Sequence, residues 1–503
     1  MTTTTDDLSS RLESLLRVDP TAPVLDGDGR SDSWGDLASV LGALRERLAN
    51  VPPEAAIGVV TRNRVEIVEA FLALLIDRRP VYTLNDMQPD GHLADEIRRD
   101  RPAVVVATAQ DWERAGLREA AAEAGAVALL ARRGPEPGLD VLGERALPAE
   151  GHLVLPDDVA VSLKTSGTTG PPKRITLTHR GLSASIEGVR RHHGGKRGAD
   201  PWRPELKPGV AIQMLSLAHT SALQTVCTTV SEGRRLVLLD RFEPIAWAKA
   251  VRDHGVVTSG LPPTAVRMLL DSDVPAEWLS SLRAVRAGSA PLDPQVAADF
   301  EARFGTAVLQ AYGATEFQGI ASWTLKDHRA FREAKRGAVG RVHPGVEVRI
   351  VDETDTPVPF GTQGVLEVRT AQSARGGAQA WVRTSDLART DADGFLWIDG
   401  RVDGAINRGG FKIDPEEVVR TLREHPGVRD AAVVAAPDAR LGQVPVAAVE
   451  PAPGAEPTAA ELRDWVRSHL EPYKVPTAVV LVAELPRNAA LKPDRQAILA
   501  LLP

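Results

Sequence analysis

Nine consecutive residues, Thr165, Ser166, Gly167, Thr168, Thr169, Gly170, Pro171, Pro172 and Lys173, hold four hydroxyls, two glycines and a lysine. Two glycines let the backbone turn sharply and come close to a ligand. Hydroxyls and backbone N–H groups can then converge on phosphate oxygens as a nest, with Lys173 adding a point charge. The loop is not a Walker A loop, which ends in Gly-Lys-Ser/Thr; two prolines precede this lysine and Arg174 follows it. A second block, Tyr312-Gly313-Ala314-Thr315-Glu316, delivers an aromatic, a glycine, a hydroxyl and a carboxylate at the end of an apolar run. In a third, His219 precedes Thr220 and Ser221 after a strand-like run, where an open α/β sheet places ligand groups. The pair His192-His193 lies in a basic, Gly-rich stretch, 190–209, without nearby acidic or cysteine ligands. It is read as part of a solvated, mobile surface loop rather than as a metal site.

These residues need a frame. The phosphate-type loop lies between a buried run, 159–163, and an alternating one, 175–179, which read as two strands. Residues 34–48 put Leu37, Leu41, Leu44 and Leu48 on one helical face, and 65–75 form a strongly apolar helix. Runs at 57–60, 80–84, 103–107 and 127–130 read as strands between helices, the pattern of a parallel sheet covered on both faces. Residues 210–215 and 282–290 add strands, the latter ending in the small-residue turn Gly288-Ser289-Ala290. From 337 to 400 short alternating strands predict an antiparallel subdomain. Val346, Val348 and Ile350 share one face; Leu366 and Val368 point inward and Glu367 and Arg369 outward. Residues 404–503 read as a compact α/β unit, with helices at 415–424 and 459–470 and strands at 431–434, 445–449 and 479–482.

Bulk properties narrow the function. A chain of 503 residues exceeds one core. A net charge of −7 argues against a nucleic-acid partner. The one cysteine, Cys227, excludes a disulfide framework or a cysteine zinc site within the chain. No leader pattern opens it and no apolar run reaches membrane-span length, so a cytoplasmic location and no membrane partner are expected.

The loop resembles the phosphate loop of the adenylate-forming superfamily (acyl- and aryl-CoA synthetases, peptide-synthetase adenylation domains and luciferases), written T-S-G-T-T-G-x-P-K-G, with Arg174 at the last glycine. Four further blocks follow in the family's order: Tyr312–Glu316 matches Y-G-x-T-E, Trp381-Val382-Arg383-Thr384-Ser385-Asp386 is close to Y-x-T-G-D, 400–413 resembles G-R-x-D-x-x-I-x-x-G-G-x-K-I, and 485–495 matches L-P-R-T-x-x-G-K-x-x-R imperfectly. In the last, Asn488 replaces threonine, Leu491 replaces the glycine, and Lys492 is retained. The resemblance implies an α/β fold: a large N-terminal AMP-binding domain, 1–402, of helix-covered parallel sheets plus a small antiparallel β subdomain, then a small mobile α/β domain, 403–503, hinged at Asp403. It implies adenine against Gly288, Ser289, Ala290 and Tyr312–Gly313, with the β- and γ-phosphates on 165–173. Thr315 would bond the α-phosphate, Asp386 and Arg401 the ribose, and Glu316 with Thr168 would hold Mg²⁺. His219 would line the acyl pocket, Lys492 would bridge acyl oxygens and α-phosphate, and Gly409-Gly410 would pass a pantetheine arm.

The implied reaction joins a carboxylic acid to the ATP α-phosphate and then to the thiol of CoA. Amino-acid-activating relatives place an aspartate beside the substrate ammonium; here Ala218-His219-Thr220-Ser221 has no acid, and a buried ammonium without a counter-charge is costly. The acid expected therefore lacks an α-amine. Pocket candidates His219, Ser221, Thr264, Ala287, Gly288, Ala311 and Gln318 are small or polar, which suits an aromatic or cyclic acid. The alternatives weighed are an ATP-dependent amide synthetase, a carrier-protein loader, and a non-catalytic nucleotide- or acyl-binding relative. A homodimer is entertained as the oligomeric state.

Overall fold

The computed structural model describes residues 7–143, 147–164, 174–193, 200–290, 292–373, 380–402, 404–408, 411–438, 441–488 and 491–502. The expected phosphate loop, Thr165 to Lys173, the hinge residue Asp403 and the pair Gly409-Gly410 lie outside the described residues. The chain forms two compact units, one of residues 1–347 with 369–382, the other of 348–368 with 383–503.

The first unit is built on a seven-stranded sheet in the order Gly138–Leu142, Val127–Arg132, Val104–Ala107, Ile57–Val60, Val81–Leu84, Val159–Lys164, Arg174–Thr178. Its five inner strands are parallel and both edge strands antiparallel. Four of the inner strands, all but Val127–Arg132, are buried along nearly their whole length, as a sheet covered on both faces requires. Helix Trp34–Arg47 starts at a capping box formed by Ser33 and Asp36, and it buries Leu37, Leu41 and Leu44 as its spacing predicts. Helix Val65–Ile76 buries every residue but Glu66, Glu69 included. Both carboxyl oxygens of Glu69 are buried without a hydrogen-bond partner. Burial first, then the nearby Asp32 and Asp36, push its carboxyl up to about 8.

A four-stranded sheet, Val210–Gln213, Arg235–Leu238, Pro23–Gly27 and Arg30–Ser33, carries the strand that leads to His219. A third run in this unit orders Thr258–Leu261, Ala284–Ala287, Ala307–Ala314, Gln318–Ser322 and Gly340–Val342, parallel at first and then antiparallel.

The second unit holds the antiparallel strands Val382–Thr390 and Phe395–Arg401 beside Gly364–Arg369. It also holds a sheet in which Val428–Asp438 and Gly442–Pro451 pair over their length and Ala478–Leu481 joins in parallel. Leu366 and Val368 are buried as expected, but so is Glu367, which the alternation places outward. Arg349 (2.6 Å) and Arg383 (3.3 Å) pair with its carboxylate and make that burial tolerable.

Candidate active site

The hairpin formed by Ala307–Ala314 and Gln318–Ser322 displays Thr315 and Glu316 at its turn. A side chain on Gly313 would place its Cβ 2.3 Å from the Gln318 carbonyl oxygen, so only glycine lets the strands approach here. The pairing register shifts between Tyr312 and Gly313, and Gln318 takes a left-handed φ of 57°. Phe317 is buried beneath the turn, its ring 6.1 Å from that of Tyr312. Beside the hairpin, Ala284–Ala287 runs into Gly288, where an added Cβ would meet the Ala311 carbonyl at 3.1 Å. The Gly288-Ser289-Ala290 turn and the Tyr312 strand therefore lie side by side, as a flat-ring site requires. Ser289 adopts a left-handed φ of 71°.

Helix Thr220–Ser231 begins immediately after His219. The Thr220 hydroxyl donates to the Thr315 hydroxyl at 2.9 Å, joining the His219 segment to the hairpin turn. Ser216 pins the segment from below, donating to the Thr61 carbonyl (2.9 Å) and to Asp86 (2.8 Å). Burial pushes the Asp86 carboxyl up, with the Ser216 bond opposing. Gln318, expected in the acyl pocket, instead turns its amide toward the carbonyls of Gly181 and Gln372. Gln224, which the sequence reading missed, approaches Gly319 from the same helix and donates to Ser185 at 3.1 Å.

Both ends of the 165–173 segment are anchored. Lys164 and Arg174 are register partners, and both reach Glu96, which is 1% exposed. Arg174 also donates to the carbonyls of Ser162 and Thr83 at 3.0 Å and lies 3.3 Å over the Tyr82 ring. Gln88 completes the shell around Glu96 at 3.0 Å. The arginine at the family's glycine position is thus a bolt across the foot of the loop.

In the second unit Asp386 lies on strand Val382–Thr390 and pairs with Arg401 at 3.5 Å. Arg401 also donates to Ser385 at 2.5 Å, so the serine at the family's glycine position holds the arginine. Burial lowers the Lys492 ammonium below the usual lysine range; Arg401 lowers it further and Asp386 opposes. The neighbouring Leu491 takes a left-handed φ of 58°, which explains a glycine at this position in the family pattern. Asn488 closes the turn: its backbone N–H donates to the Lys492 carbonyl (2.8 Å) and its side chain accepts from the Lys492 N–H (3.2 Å).

The reading of His192 and His193 as a solvated loop is corrected. Helix His179–His193 runs to the second histidine, and its last turn packs against strand Gln318–Ser322. His192 contacts the Ser322 carbonyl at 3.0 Å, while His193 (3.3 Å) and His343 (2.8 Å) contact its hydroxyl. Burial depresses all three imidazoles, His343 to about 3. Among the described residues no cluster of three or more His, Cys, Asp or Glu is arranged to hold a metal, and no helix is long and apolar enough to cross a membrane.

Residues 13–376 match the family model of the AMP-binding enzymes, and residues 417–492 match the model of their C-terminal domain. The chain belongs to the AMP-binding enzyme family. This AMP-binding enzyme is 31% identical to a 4-coumarate–CoA ligase-like protein of Oryza sativa subsp. japonica over 70% of its own length and 63% of that relative's. Its structure is similar to ATP-bound MatB from Rhodopseudomonas palustris (25% identity, TM-score 0.82, 98% of both chains). It is also similar to the amide bond synthetase McbA from Marinactinospora thermotolerans (27% identity, TM-score 0.78, 98% of this chain and 99% of that one).

Proposed function

We propose that this AMP-binding enzyme is an AMP-forming carboxylate–CoA ligase, an acid–thiol ligase that uses ATP. The observation that carries the reading is the Thr220–Thr315 hydroxyl bond. It ties the segment assigned to the acid to the turn assigned to the α-phosphate, the two groups that must meet. The relative and the ATP-bound neighbour support the same chemistry.

A carboxylate is a poor acyl donor because oxide leaves badly. Attack of its oxygen on the ATP α-phosphate makes that oxygen part of AMP, a good leaving group. Two anions must meet, so donors and cations have to be fixed in advance where charge concentrates. Thr315 donates to the α-phosphate, Lys492 offers its ammonium to the acyl and phosphate oxygens, and Asp386 accepts from the ribose hydroxyls. Arg401 holds Asp386 and contacts ribose or phosphate. Gly288, Ser289, Ala290 and Tyr312 enclose the adenine. Glu316 suits Mg²⁺, which usually takes one or two protein carboxylates and otherwise phosphate and water; Thr168 is the second proposed ligand. The ion supplies charge neutralisation of the phosphates when bound.

The acid lacks an α-amine and is aromatic or cyclic: Ser221, Ala287, Gly288 and Ala311 leave room for a ring, and the segment at His219 offers no ammonium partner. CoA is the acceptor, reaching the adenylate past Gly409-Gly410 while the C-terminal domain pivots at Asp403. The likeness to an amide bond synthetase supports a second reading, in which an amine takes the acyl group.

The test is acid-dependent pyrophosphate release from ATP across aryl, cyclic and short-chain acids, with and without CoA. An acyl-CoA product formed only with CoA supports the ligase; adenylate that yields only to amines supports the amide reading. Lys492→Ala should lower pyrophosphate release about 10²–10³-fold; an unchanged rate would remove Lys492 from the chemistry.

A further inference from the structure

Two acids lie side by side inside the second unit. Asp430 on strand Val428–Asp438 and Glu450 on strand Gly442–Pro451 are register partners, 3% and 5% exposed. Like charges directly opposite one another destabilise a sheet, and buried charges need partners. Here the partners are three arginines. Arg423, at the end of helix Pro415–Arg423, donates to one Asp430 oxygen at 2.8 Å. Arg487 donates to the other at 2.6 Å, and Arg429 pairs with Glu450 at 2.8 Å.

Two of the contacts belong to the residues that lead to Lys492. The second oxygen of Glu450 accepts from the Leu485 N–H at 3.3 Å. The Arg487 guanidinium, joined to Asp430 by one nitrogen, donates through another to the Leu491 carbonyl at 3.3 Å. Arg487 and Pro493 form a β-bridge, and the Asp494 N–H donates to the Pro486 carbonyl at 2.8 Å, which closes the turn at its base. Neutralising two buried acids would need no contact with Leu491, yet the Arg487 fork reaches it. Leu491 holds a left-handed φ of 58° without glycine's freedom, and such a conformation persists where its surroundings fix it. The chain from Asp430 through Arg487 to the Leu491 carbonyl is such a fixture, and it ends one peptide bond short of Lys492.

We propose that Asp430 and Arg487 are positioning residues for the adenylation step, a brace that aims the Lys492 ammonium from the buried face of the sheet. This rests on the reading above that places Lys492 between the acyl and phosphate oxygens. The brace matters where two anions must be brought together, which happens once, when carboxylate meets ATP. In the second step the thiol meets an acyl carbon that is already activated, so that step does not depend on the brace.

The test compares Asp430→Asn, Arg487→Gln and Arg487→Lys with the parent and with Lys492→Ala, all in the full chain. The first step is read as pyrophosphate release with benzoate, cyclohexanecarboxylate and butyrate. The second is read as acyl-CoA formed from the adenylate of each acid, prepared chemically. D430N and R487Q should lower kcat of the first step about 10- to 100-fold, the loss expected of a cation held out of place, and leave the second within about two-fold. R487K keeps the charge without the fork and should recover part of the loss. A further readout needs no acid: in R487Q the peptide that carries Lys492 should exchange its amide hydrogens about 10-fold faster, while peptides of strand Gly442–Pro451 keep their rate. Where D430N does not fold, judged by circular dichroism, R487Q carries the comparison, because it leaves Asp430 paired with Arg423. Equal losses in both steps would make the brace a stabiliser of the fold alone and overturn the proposal. An unchanged first step, or unchanged exchange, in R487Q would overturn it too, and the ligase reading survives each of these. A first step that the parent performs and K492A performs equally well would remove Lys492 from the chemistry and the proposal with it. No turnover of any of the three acids by the parent counts against the ligase reading, and exchange in R487Q then decides the brace.

Discussion

Asn488 holds Lys492 through backbone geometry rather than charge. Two hydrogen bonds to the lysine's own peptide groups fix where the side chain leaves the chain, and Leu491 in a left-handed conformation makes the turn tight enough for both. Asn488→Ala should lower the rate of pyrophosphate release about 10-fold, the loss expected when a charge is misplaced rather than removed, with the unfolding midpoint nearly unchanged. The lowered ammonium also makes a pH prediction. In the proposed reaction Lys492 is a cation, so activity should fall as pH rises through its pKa, and that alkaline limb should lie below the range of a free lysine. Arg401→Gln removes a repelling charge and should move the limb upward; Asp386→Asn removes an attracting one and should move it downward. A pH profile of pyrophosphate release at saturating ATP reads both. Lys492 and Asp386 stand out in the sequence because each belongs to a run that resembles a block of the family. The contact of His343 with Ser322 does not, because only the sheet brings the two segments together.

At the scale of elements, the foot of the 165–173 loop is set by helix Asp90–Asp100 through one buried glutamate. Glu96→Gln keeps the shape and removes the charge that Lys164 and Arg174 both face. Breaking such a shared partner should destabilise the protein by about 3 kcal/mol, in denaturant titration, and raise KM for ATP more than it lowers kcat. Equal loss of kcat and no change in KM would detach Glu96 from ATP binding. The strands and helices here were readable because period-2 and period-3.6 patterns are strong when one face is buried. The solvated-loop reading of His192 and His193 failed because polar residues at a helix end look alike in sequence whether they face water or a serine on the next sheet. Arg174 read as a mild departure for a related reason: its partners Glu96, Tyr82 and Thr83 come from strands and helices far earlier in the chain.

For the whole molecule, Glu69 makes stability depend on pH. Its folded-state pKa of about 8 stands above that of an unfolded glutamate, so the folded chain holds a proton that the unfolded chain releases. Stability should therefore be highest below about pH 4.5 as far as this group is concerned and fall as pH rises to 8, by at most about 1.4 kcal/mol per unit. Glu69→Gln should flatten that slope and raise the melting temperature at pH 8 more than at pH 5; identical pH slopes in calorimetry would refute the assignment. The helix-covered parallel sheet of the first unit was anticipated, whereas the buried carboxyl in the helix Val65–Ile76 was not. The Thr220–Thr315 bond has a consequence for how such a chain can change. On the proposed reading, mutations that reshape the helix to accept a new acid also tug the Thr315 hydroxyl assigned to the nucleotide. A lineage, or an engineer, that broadens the choice of acid inherits a drift in ATP affinity, and the two traits must be selected together.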